Sequence, residues 1–193
     1  MRLNAVQRLL LLASCCWFFG EGLLGPLFAV FAEKVGGDLL DITSAWATFL
    51  ITSGVLYIVF GKLFRNARNK KQIMVAGYAL NTLLTFGYLG VHNSKQLLLL
   101  QFGLAIAEAI SSPLWDALFA SELEETDDLL FWSIAGGHSH LVSGVAVAIG
   151  GAIAYYLSFE VLFIIMGCIQ AIATFIQWRL LYISSDTTGK LKQ

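Results

Sequence analysis

Charge is scarce in this chain: 13% of its 193 residues are Asp, Glu, Lys or Arg, against 58% hydrophobic residues. Soluble domains carry about twice that share of charge. A soluble enzyme or binding domain is therefore excluded. The net charge of −1 gives no electrostatic case for nucleic acid. Two prolines in the whole chain argue against disorder and Pro-rich linkers. The three cysteines, Cys15, Cys16 and Cys168, sit inside apolar runs. That is neither a disulfide framework nor a metal-ligand pattern, so no metal and no cofactor is expected.

Long apolar runs are what the sequence does have. A bilayer core of about 30 Å takes about 20 residues of helix. Six runs meet that length, over about 9–32, 43–62, 72–91, 96–119, 131–157 and 159–182, leaving a short tail over 183–193. The loops between them are too short for a soluble domain. The period is helical, not the alternation of a membrane barrel. Leu12-Ala13-Ser14-Cys15 resembles a lipoprotein cleavage box, but the apolar stretch before it is too short for one. The first span is expected to stay.

Lys and Arg near span ends set orientation. With the N-terminus inside, Arg2, Arg8, Lys62, Arg65, Arg68, Lys70, Lys71, Arg179, Lys190 and Lys192 are cytoplasmic, and only Lys34 and Lys95 lie outside. Both termini are then cytoplasmic, in the inner membrane of a bacterium or archaeon. Self-associating copies would lie parallel.

The first and fourth spans carry a repeated motif. Gly20-Glu21-Gly22-Leu23-Leu24-Gly25-Pro26-Leu27-Phe28 matches Ala107-Glu108-Ala109-Ile110-Ser111-Ser112-Pro113-Leu114-Trp115, with Glu and Pro both offset by 87 residues. The first span runs outward and the fourth inward, which predicts a 3+3 inverted repeat of six helices. Such repeats with interrupted helices point to a transporter's central site. Pro26 and Pro113 are expected as helix hinges, since each removes a backbone donor.

These features resemble one half of a major facilitator superfamily transporter. The resemblance spans nearly the whole chain and includes Gly61-Lys62-Leu63-Phe64-Arg65-Asn66-Ala67-Arg68-Asn69-Lys70-Lys71 between spans 2 and 3. Gly61 and Lys70 match the family's loop motif. Arg65 stands where the family has an aspartate, and Arg68 where it has a glycine. The pair Gly150-Gly151 fits the fifth-span motif loosely, without its proline. The resemblance implies an all-α membrane protein equivalent to half of the twelve-helix fold, completed by a parallel homodimer. It implies a cavity lined by spans 1 and 4 and a partner half facing spans 2 and 5.

A carboxylate at mid-membrane is costly unless paired, neutralised or facing water. Glu21 and Glu108 are therefore the candidates for proton coupling or substrate binding, the alternative being structural carboxyls bonded to neighbouring helices. Helical spacing puts Ser14, Trp17, Glu21, Gly25 and Phe28 on one face, and Gln101, Glu108, Ser112 and Trp115 on another. Trp17, Phe28, Gln101, Ser112 and Trp115 are thus candidate cavity lining, suited to a small cationic or neutral amphipathic solute. No Lys or Arg lies deep in a span, which disfavours anions. The resemblance also implies an inner gate, in which Asp116 could pair with Arg65 or Arg68. Gly137, Gly144 and Gly151 form a small-residue face for a dimer seam or for packing within one subunit. Asn81, Thr85 and Tyr88, and Gln170, Thr174 and Gln177, form polar stripes expected to hydrogen-bond between helices. The functional reading is a proton-coupled secondary transporter, not an enzyme. The alternative is a subunit that pairs with a different half-transporter chain.

Overall fold

The computed structural model describes residues 4–122 and 128–183. The tail expected over 183–193 lies outside the described residues except for Ile183, as do Arg2, Lys190 and Lys192. The described residues form α1 (Ala5–Leu24), α2 (Leu27–Lys34), α3 (Leu39–Leu63), α4 (Lys70–Gly87), α5 (Ser94–Ser121), α6 (Asp128–Tyr156) and α7 (Phe159–Trp178), with no strand among them. Short 3₁₀ turns, Tyr88–Gly90 and Arg179–Tyr182, extend α4 and α7. Six of these helices are long and apolar enough to cross a membrane.

Polar side chains start several helices. Asn4 caps α1 and closes a capping box with Gln7. Asp38 and Asp41 do the same for α3. Asn93 and Ser158 cap α5 and α7. Each satisfies backbone N–H groups that a helix start leaves free.

The first span is two helices, not one. α1 ends at Gly25, whose φ of +26° is open to glycine alone at low cost, and Pro26 then starts α2. Pro113, by contrast, sits inside an unbroken α5. The hinge expected at Pro113 is not a helix break. The residue before each proline explains the difference. Gly25 can leave the helical region, whereas Ser112 at the matching position carries a Cβ that makes positive φ unfavourable.

Around this chain path, α1 packs against α6 and α7, α4 against α5 and α7, and α3 against α5. The bundle is an arc with α3 and α6 at its two ends. Of the residues in α3, Ala45 alone is buried. Two apolar clusters fill the bundle. One gathers Leu23, Phe28, Phe31, Tyr88, Leu97 and Phe163, in which Phe31 and Phe163 meet edge-on at 4.7 Å. The other gathers Leu10, Met74, Tyr78, Leu114, Phe119 and Leu180. Buried polar residues, among them Asn81, Thr82, Ser111 and Gln170, belong to neither cluster.

The α1–α6 contact is close enough to demand glycine. A Cβ on Gly150 would lie 2.0 Å from the Leu23 carbonyl oxygen. Gly150→Ala should therefore force the two helices apart and cost about 1–3 kcal/mol, read as a lower thermal midpoint in detergent. Gly54→Ala, where a Cβ meets nothing within 4 Å, should leave the midpoint unchanged or raise it slightly.

Candidate functional site: an acidic cleft between α1 and α5

Successive turns of α1 bring Ser14, Trp17 and Glu21 to the side facing α5. Glu21 opens onto a cleft there, but its carboxylate is tied to the bundle behind it. Oε1 accepts from Gln170 Nε2 of α7 at 3.2 Å and from Asn81 Nδ2 of α4 at 3.4 Å. The same Gln170 amide also donates to the Trp17 carbonyl at 3.3 Å. Gly20 makes this reach feasible: a Cβ there would lie 2.8 Å from Gln170 Nε2. Asn81 and Gln170 are 2% and 1% exposed, so neither has water as an alternative partner. Beside them Thr82 and Thr174 share a 2.8 Å hydroxyl contact that ties α4 to α7.

Three cavities run along the cleft and share walls. A cavity of about 320 Å³ is lined by Trp17, Phe18, Tyr57, Tyr78, Glu108, Ser112, Trp115, Asp116 and Trp132, among others. Trp17, Phe18 and Glu108 also line the next, of about 210 Å³, where Glu21 and Glu108 meet. Glu21, Phe49 and Leu104 continue into a third, of about 120 Å³, with Phe28, Trp46, Tyr88 and Gln101. Among the described residues no Lys or Arg lines any of the three. Acidic groups and aromatic faces together attract cations and offer nothing to an anion.

Most of the residues singled out in the sequence thus lie on one connected cleft. Trp17, Glu108, Ser112 and Trp115 share its largest chamber. Phe28 and Gln101 share the smallest, and both are buried. Gln101 donates to the Tyr88 hydroxyl at 3.1 Å. Trp115 is also a structural anchor: its indole N–H reaches the Leu10 carbonyl at 3.3 Å and its ring stacks on Phe119 at 4.9 Å. Trp17 meets Tyr78 edge-on at 4.5 Å.

The inner-gate grouping of Arg65, Arg68 and Asp116 is not formed. Asp116 lies two turns beyond Glu108, and its carboxylate accepts a hydrogen bond from the Tyr57 hydroxyl of α3. Arg65 and Arg68 are exposed beyond the end of α3, and Arg68 lines a separate cavity with Lys70 and Lys71. Asp116 belongs instead to the acidic lining of the large chamber. Gly137, Gly144 and Gly151 lie apart from the cleft lining, and a Cβ on any of them would meet nothing within 4 Å.

Sequence reasoning misses Phe18, Tyr57, Tyr78 and Trp132 as lining. Tyr57 is the sole tyrosine in α3, which is the one signal that marks it. On α6, His138 Nε2 lies 2.9 Å from Ser14 Oγ, and its Nδ1 faces the Ile134 carbonyl at 3.0 Å. Among the described residues no three metal-ligating side chains gather.

A family model described as Major Facilitator Superfamily matches residues 10–193. The chain belongs to the major facilitator superfamily. No curated protein matches it. The superfamily is one of membrane transporters and not of enzymes. For a superfamily member, a central cleft with carboxylates and no fixed cation is a candidate solute path.

The Glu21–Gln170 bond can be tested by a double-mutant cycle. Gln170→Leu should cost about 1–3 kcal/mol by leaving the carboxylate short of a donor. The cost should shrink by at least about 0.5 kcal/mol in a Glu21→Leu background. Thermal unfolding of the four proteins gives the coupling, and strict additivity would show the contact to be inert.

Proposed function

We propose that this chain is a secondary active transporter that works by alternating access as a parallel homodimer. Protons are coupled through Glu21 and Glu108, and the solute is a small organic cation or a neutral amphipathic molecule. The observation that carries this reading is that Glu21 and Glu108 line one cleft cavity that, among the described residues, no Lys or Arg lines. Carboxyl groups are side chains that can take up and release a proton. A group that changes protonation as the cleft changes access can couple proton movement to solute movement. A cation entering between Trp17, Trp115 and Trp132 would find ring faces and the Glu108 and Asp116 carboxylates together.

The packing of the helices supports an inverted repeat. Exchanging α1, α3 and α4 with α5, α6 and α7 turns α3–α5 into α6–α1 and α4–α5 into α7–α1, and it leaves α4–α7 unchanged. The break at Gly25–Pro26 supplies a flexing point at one end of the cleft.

The homodimer closes the open side of the cleft. The flanking helices α3 and α6 carry exposed apolar side chains, including Leu50, Val55, Leu141 and Val145. Glu21 and Glu108 open toward that side and cannot face lipid. On α6, Gly150 is committed to α1, while Gly137, Gly144 and Gly151 have open space for a second copy. The Lys and Arg bias makes the copies parallel, with both termini cytoplasmic in a bacterial or archaeal inner membrane.

In proteoliposomes with an imposed pH gradient, Glu21→Gln and Glu108→Gln should each abolish proton-driven flux of an aromatic ammonium probe. Unchanged flux in both would sink the coupling role. Gly144→Leu should leave the thermal midpoint of the subunit in place and shift native mass from dimer to monomer. A wild-type chain that stays monomeric would favour the alternative, a subunit completed by a different half.

A further inference from the structure

We infer that the groove between the start of α1 and the end of α7 binds the headgroup of an anionic phospholipid. The groove lies away from the cleft and encloses about 620 Å³. Arg8, in the first turns of α1, and Arg179, directly after α7, both line it. α1 begins at this end of the bundle and α7, the sixth span, ends there, so the two guanidiniums share one membrane boundary whichever way the chain inserts.

Charge complementarity selects the occupant. Both arginines are exposed, and among the described residues no Asp or Glu lines the groove. Neither arginine has an ion-pair partner among the described residues. Glu122, the acid that touches the start of α1, is engaged elsewhere: its carboxylate accepts from Asn4 at 2.8 Å, and its backbone carbonyl accepts from Gln7 at 2.8 Å. The two guanidiniums present forked donors that match phosphate oxygens. A zwitterionic headgroup would bring its own cation against them, whereas an anionic one adds none.

The walls suit a lipid better than a free ion. Leu12 and Phe175 are 56% and 58% exposed and form an apolar track running from the arginines toward the membrane interior. Trp178 contacts Phe175 at 5.8 Å and Tyr182 at 5.0 Å, building an aromatic wall at headgroup depth. The bound lipid would hold the first and last spans together, next to the place where Lys71 donates to the Ile183 carbonyl at 3.0 Å.

Native mass spectrometry of the full chain in mild detergent tests this, with phosphatidylglycerol and phosphatidylcholine of identical acyl chains as probes. Wild type should bind phosphatidylglycerol at least about fivefold more tightly, the worth of one well-placed basic residue. Arg8→Gln and Arg179→Gln should each remove about fivefold of that affinity and leave phosphatidylcholine binding unchanged. Lys62→Gln, which removes an exposed charge elsewhere, should leave the preference intact. Equal binding of the two lipids, a preference that survives the double arginine variant, or an equal loss in Lys62→Gln would each overturn the assignment. Displacement of the lipid by inorganic phosphate alone would reassign the groove to a free anion.

Discussion

A carboxylate placed among apolar helices must find donors, and much of this bundle is arranged around that requirement at Glu21. α7 delivers Gln170 and α4 delivers Asn81 to the same oxygen. To bring those amides within reach, α1 must run close against α7, which Gly20 allows. α4 must lie beside α7, which the Thr82–Thr174 contact fixes. The two apolar clusters on either side then pack around a polar waist. A hydrogen bond that is modest in net worth thus sets the mutual positions of three helices, because Asn81 and Gln170 are buried and have no water to turn to.

The cleft inherits its asymmetry from one residue. Glycine precedes the proline in the first span and serine precedes it in the fourth. The first span breaks and the fourth does not, although both carry the same Glu–Pro spacing. One wall of the cleft is therefore jointed and the other is a single helix of 28 residues. Asp116 sits two turns beyond Glu108 on that helix, and both carboxylates line the chamber that the aromatic side chains of α1 and α6 also line.

Fold and family are legible in the sequence because six apolar runs and the glycine-and-basic loop after Gly61 are local signals. Glu21 and Glu108 are legible for the same reason, since a single carboxylate in an uncharged run stands out. The partners of Glu21 are not. Asn81 and Gln170 read as polar stripes on their own spans, and nothing local says that both stripes converge on one atom. Asp116 fails differently. Its distance in sequence from Arg65 and Arg68 carries no direction, and the turn of α5 aims it at Tyr57. Trp132 and Phe18 look like ordinary apolar residues until the arc of helices leaves one side open.

The tie between Glu21 and Gln170 also has a consequence for biosynthesis. Gln170 is made 149 residues after Glu21. At typical translation rates that interval is about 7–30 s. Asn81, made 60 residues after Glu21, arrives earlier. The first span therefore enters the membrane carrying a carboxyl group whose eventual neighbours do not yet exist. A neutral, protonated side chain is the cheap form during that wait. The nascent chain cannot complete its polar waist until the sixth span has left the ribosome, so assembly of the bundle closes with its last helix.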